Sequence, residues 1–119
     1  MKPAALLLTV LTALGIAVGT LGPPGDGAGA LPVGDKTAHF LAFALLVLPA
    51  GLGWPRQAVW LAAAAVLYGT VIEIVQPAVG RSAEWGDLLA DTAGIAVGLL
   101  PGRLLQRRNR MSAATRDTP

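Results

Sequence analysis

Val59-Trp60-Leu61-Ala62-Ala63-Ala64-Ala65-Val66-Leu67-Tyr68-Gly69-Thr70-Val71-Ile72-Glu73-Ile74-Val75-Gln76-Pro77-Ala78-Val79 is an apolar run long enough to cross a bilayer, which takes about 20 helical residues. Near its end stand Glu73 and Gln76, three residues apart and therefore on one helix face. A carboxylate at mid-membrane costs roughly 2.5–3.5 kcal/mol on insertion scales, and less near the interface. A plain membrane anchor has no use for such a residue. The run decides the fold class, and its two polar residues raise the question of function.

Three further apolar runs flank it: Ala4 to Leu21, Ala38 to Leu52 (completed by the turn holding Asp35 to Thr37), and Asp87 to Leu105. Pro49 inside the second predicts a kink or an early end there. The chain of 119 residues is 54% hydrophobic and only 13% charged, too few charges to cover a water-soluble surface. Backbone polar groups must satisfy one another in lipid, so the spans are helices. The expected fold is all-α, an integral membrane bundle of four transmembrane helices. Residues 1–30 hold the first span and the start of an outer loop, 31–105 the three later spans, and 106–119 a basic tail expected to be disordered. There is no cysteine, which removes disulfides, thiol nucleophiles and thiolate metal sites.

Charge counting sets the orientation. With the N-terminus inside, Lys2, Arg56, Arg103, Arg107, Arg108, Arg110 and Arg116 are cytosolic, and only Lys36 and Arg81 are outside. Trp54, Trp60 and Trp85 fall in or beside the short loops, at interfacial depth. The expectation is a multi-pass protein of the cell membrane with both termini in the cytosol. The arginine-rich tail reads as a juxtamembrane segment touching anionic head groups, and no nucleic acid is expected as partner. Two competing readings are weighed, and cleavage of residues 1–30 stays open. Lys2, the first apolar run and Ala28-Gly29-Ala30 resemble a cleavable signal peptide, but the run is long and the site lies nine residues past it. The stretch from Gly29 to Thr37 imitates a phosphate-binding loop, but Asp35 interrupts its Gly-Lys-Thr unit and no strand precedes it.

This topology gathers polar residues at one depth. Asp35, Lys36 and His39 open the second span, Glu73 and Gln76 close the third, Arg81 and Glu84 sit in the following loop, and Asp87 and Asp91 open the fourth. Taken singly, several are ordinary. Asp35 and Asp87 suit helix N-caps, and His39, four residues after Asp35, can bond it on the same face. Glu73, Gln76 and Asp91 lie a turn or more inside apolar sequence and fit such readings less well; pairing of Glu73 with Arg81 is the structural alternative. In the fourth span Ala90, Gly94, Gly98 and Gly102 recur every four residues, a small-residue stripe that permits close helix packing.

Asp35-Lys36-x-x-His39-Phe40-x-x-Phe43-x-x-Leu46, then Glu73-x-x-Gln76, Arg81, Asp87 and Gly94-x-x-x-Gly98, resemble the VanZ-like membrane protein family over about residues 30 to 102. The family usually has Asn where this chain has Asp91. The resemblance implies a role in the cell envelope or in susceptibility to the glycopeptide teicoplanin. Beside it, the residues themselves support an outer polar pocket of Asp35, Lys36, His39, Glu73, Gln76, Arg81, Asp87 and Asp91. Lys36 and Arg81 would draw a phosphate, and the ligand would be a membrane lipid or a lipid-linked cell-wall precursor. Two alternatives stand: a structural or partner-binding bundle, and an intramembrane acid/base or metal-dependent hydrolase. With one histidine and no HExxH or serine-centred motif, no catalytic residue, metal ligand or cofactor is assigned.

Overall fold

Residues 2–23 and 34–116 are described by a computed structural model, and they contain helices and no strand. Helix α1 spans Lys2–Leu21, α2 Asp35–Gly53, α3 Ala58–Val75 and α4 Trp85–Arg116. A 3₁₀ turn, Pro55–Gln57, joins α2 to α3, and a second, Gln76–Val79, tightens the end of α3. All four helices, α3 together with its 3₁₀ flanks, are long and apolar enough to cross a membrane. The chain is a multi-pass membrane protein. Exposed apolar side chains such as Leu7, Leu14, Leu45, Leu67, Ile74 and Leu89 occur on every helix, as a lipid environment requires. Residues 24–33, with the Ala28-Gly29-Ala30 feature and the start of the imitated phosphate loop, lie outside the described residues.

Local chemistry explains the ends. Pro77 has no amide to continue the α3 ladder, so the chain tightens to 3₁₀ and stops at Gly80, whose φ of 80° is the left-handed conformation glycine adopts without strain. α2 runs through Pro49 to Gly53 instead of ending early. Packed helices tolerate an interior proline in lipid because neighbouring groups and small local adjustments compensate the lost bond. The expected caps are corrected. Gly34 precedes α2 with no side-chain cap, Asp35 is the first helical residue, and α4 starts at Trp85 so that Asp87 falls in its first turn. Both acids still meet the positive end of a helix dipole.

The tail is also corrected, because residues 106–116 are helical. From Arg103 to Arg116 there is neither Gly nor Pro. Arg, Leu, Gln, Met and Ala are good helix formers, and extending a nucleated helix costs far less than starting one. At 32 residues α4 is about 48 Å long, well beyond the roughly 30 Å hydrocarbon core.

The bundle is organised on α2 and α4, which run in the same direction. A Cβ on Gly94 would collide with the Phe40 carbonyl, on Gly98 with the Ala44 carbonyl and on Gly102 with the Gly51 carbonyl. The expected stripe therefore packs α4 backbone against α2 backbone. Phe43, Leu46 and Val47 of α2 join Ala65 and Ile72 of α3 and Ile95 and Leu99 of α4 in the core. α1 is peripheral, burying only Ala5 and Ile16. The Tyr68 hydroxyl holds it by donating to the Ala13 carbonyl.

Candidate ligand-binding site at the acidic end of the bundle

The seam fixes which polar side chains meet. One turn before Gly94, Asp91 faces His39 of α2, and the His39 Nδ1–Asp91 Oδ1 distance is 2.8 Å with both side chains buried. With a carboxylate as acceptor, Nδ1 donates, which leaves Nε2 directed elsewhere. Its neighbour is Asp87, one turn earlier on α4, with Oδ2 3.8 Å away. The same-helix His39–Asp35 bond is thus replaced by a bond across helices, which the close α2–α4 approach makes available. Asp35 remains beside the ring, since Asp35, His39 and Asp87 each offer a ligand atom within 4.8 Å of the others.

α3 completes the group with Glu73, 8% exposed. Its Oε2 accepts the Glu84 backbone amide at 2.9 Å, while Oε1 is buried without a partner. A Glu73 oxygen also lies within 4.8 Å of ligand atoms of His39 and Asp91. The Glu73–Arg81 pair, the structural alternative, does not form; the loop amide takes the place of the guanidinium. Lys36 closes the rim, its Nζ 2.8 Å from Glu84 Oε2 and 3.5 Å from Asp87 Oδ1. The Lys36 ammonium beside Glu84 holds that loop carboxyl below its ordinary range. Asp87 Oδ1 is buried and has no hydrogen bond.

Arg81 and Gln76 have other partners. Arg81 donates through Nε to the Gly22 carbonyl at 3.2 Å and through a terminal nitrogen to the Pro23 carbonyl at 3.4 Å. Gln76 Nε2 is 3.5 Å from the Thr20 carbonyl. Thr20 lies in the last turn of α1 and Gly22 and Pro23 follow it directly, where the negative end of the helix dipole favours a nearby guanidinium. These two residues fasten α1 to the end of α3. Their spacing from Glu73 gave no sign of this, because the partners are backbone atoms distant in sequence.

Two glycines make room for the cluster, and neither belongs to the periodic stripe. A Cβ on Gly69 would meet Asp91 Oδ2 at 2.9 Å and the Phe43 ring at 3.2 Å, and one on Gly86 would meet the Lys36 side chain at 2.5 Å. Two grooves reach residues of the cluster. One of about 430 Å³ lies between α1 and α2 and reaches His39 past Ile16, Gly19, Thr20 and Ala42. The other, about 320 Å³, lies between α3 and α4 and is lined by Thr70, Glu73, Ile74, Pro77, Trp85 and Leu88 among others. Both are mainly apolar, with a cluster residue in the wall.

The arrangement concentrates Asp35, Glu73, Asp87 and Asp91 around one histidine and one lysine. Glu73, Asp87 and Asp91 are buried, and a buried carboxylate that is incompletely paired carries a desolvation penalty of several kcal/mol, which a nearby positive charge offsets. No curated protein and no solved structure matches the chain. The VanZ/LLP1 family matches residues 5–106, a stretch that takes in the first helix as well as the three that carry the motifs. With all but the ends of the sequence covered, the chain belongs to the VanZ/LLP1 family.

Proposed function

We propose that the protein acts in the cell envelope by receiving, at the outer membrane face, the polar head group of a membrane lipid or lipid-linked cell-wall precursor. The acidic end is then outside, and both termini are cytosolic, in accord with the seven-to-two distribution of basic residues. One observation carries the reading: Glu73, buried and with Oε1 unpartnered, lines an open, mainly apolar groove between α3 and α4. The groove suits an acyl or prenyl chain, and the carboxylate beside it suits a polar group. Because Arg81 is engaged at α1 and the interior is acidic, a bare phosphate is a poor occupant. A head group carrying both ammonium and phosphate fits better, the ammonium turned toward Glu73 and the phosphate toward Lys36 at the rim. Membership of the family supports an envelope role, including glycopeptide (teicoplanin) susceptibility.

The test is thermal unfolding of the purified protein in detergent with added phosphatidylethanolamine, phosphatidylglycerol or a polyprenyl phosphate. Phosphatidylethanolamine is expected to stabilise the wild type most, and Glu73→Gln to lose that increment. Equal response to all three lipids, or none, counts against the reading. Cysteines introduced at Ser82 and Ser112 check the orientation: a membrane-impermeant thiol reagent should label only the first in intact cells. A purely structural bundle is favoured by the internal contacts of the cluster, Lys36 with Glu84 and His39 with Asp91. It predicts that lipid identity and Glu73→Gln are both without effect.

A further inference from the structure

We infer that Asp35, His39 and Asp87 form a binding site for one divalent transition-metal ion, with Asp91 as the positioning residue for the imidazole. The inference goes beyond head-group recognition and does not rest on it, since an ion can bind the lipid-free protein. The geometry begins at the His39 Nδ1–Asp91 Oδ1 contact of 2.8 Å. Metal-bound histidines commonly donate their other ring N–H to a carboxylate, which fixes the tautomer and raises the basicity of the free nitrogen. Here that leaves Nε2 as the ligand atom, and it faces Asp87 Oδ2 at 3.8 Å.

That separation is too long for a hydrogen bond. It is in keeping with two ligands of one ion, each at about 2.0–2.2 Å from it. Asp35 supplies the third ligand, since Asp35, His39 and Asp87 each offer a ligand atom within 4.8 Å of the others. Asp35 stands one helical turn before His39 and is exposed, which gives the ion a way in from the aqueous side. The Asp87 carboxylate is also incompletely paired. Asp87 is 2% exposed and Oδ1 has no hydrogen bond, only the 3.5 Å approach of Lys36 Nζ. Glu73, with Oε1 also unpartnered, offers a ligand atom within 4.8 Å of those of His39 and Asp91.

The donor set selects the metal class. One imidazole nitrogen with carboxylate oxygens suits Zn²⁺ or Mn²⁺, whereas Mg²⁺ and Ca²⁺ prefer oxygen alone. The remaining positions are open to water or to an oxygen of a ligand.

The full chain, purified in detergent, stripped with a chelator and freed of it, would be titrated with ZnCl₂ and MnCl₂, with MgCl₂ as control. Stoichiometry and affinity are the readouts, and circular dichroism confirms the helical fold of each variant. One ion of Zn²⁺ or Mn²⁺ per chain is expected, with Mg²⁺ bound far more weakly. Asp35→Asn, at an exposed position where folding is not at stake, should weaken binding at least about tenfold, and His39→Gln should abolish it. Asp91→Leu, which removes the orienting acceptor, should weaken it about 10–100-fold while leaving one site per chain. Absence of a stoichiometric site in the folded wild type overturns the inference, as does affinity unchanged by both Asp35→Asn and His39→Gln. Because no lipid is present, neither result bears on head-group recognition.

Discussion

The two ends of α4 carry opposite charges in opposite ways. At its start Asp87 and Asp91 are 2% and 1% exposed, enclosed by α2 and α3. At its far end Arg103, Arg107, Arg108, Arg110 and Arg116 stand exposed along a helix that outruns the bilayer. Exposed arginines keep their hydration and interact weakly with anything but a surface of opposite charge. Buried aspartates lose theirs, and only specific partners offset the loss. Charge that folding has drawn into the interior is therefore where function is to be sought, and orientation and lipid contact are the roles proposed for the basic end.

The sharpest way to break this contrast is to separate α4 from α2. Gly94→Leu drives a side chain into the Phe40 backbone, where no flexible group can yield. Overpacking of this kind costs about 1–3 kcal/mol, and backbone contact puts it at or above the upper end. A large fall in unfolding temperature in detergent and in membrane abundance is expected. A much smaller effect follows from Arg81→Ala, which frees the end of α1 but leaves the α2–α4 seam intact. Loss of two long hydrogen bonds should cost about 1 kcal/mol, and proteolysis should find α1 loosened while the rest resists. Smallest is the double change Arg107→Ala with Arg108→Ala. It should alter stability by no more than about 0.5 kcal/mol, as exposed substitutions do, while reducing binding to anionic vesicles. Comparable destabilisation by the arginine pair and by Gly94→Leu would erase the distinction between the two ends.

Much of this was legible in the sequence. The lengths of four apolar runs and the every-fourth-residue Ala90–Gly102 stripe predict both the spans and the close seam. The convergence of polar groups at one depth followed from Asp35, Glu73 and Asp87 each lying at a helix end. Partner choice did not follow. His39 bonds Asp91 instead of Asp35, and Arg81 turns to Gly22 and Pro23, because such choices depend on helix rotation that no periodicity specifies. Gly69 escaped notice because its value lies in the space it leaves for Asp91 and Phe43, which only the packed bundle reveals. The helical course of residues 106–116 was masked by their charge, although their helix propensity was present throughout.

The central claim is that the buried acidic end, and not the bundle alone, performs the function. Complementation of a deletion strain by Glu73→Gln, scored for sensitivity to envelope-targeting antibiotics alongside membrane abundance, tests it most directly. The substitution keeps the shape of the side chain and is easier to place in a membrane, so abundance should equal that of the wild type. Loss of complementation at normal abundance is expected. Full complementation by Glu73→Gln, with Gly94→Leu failing, would contradict it and leave the protein a structural bundle.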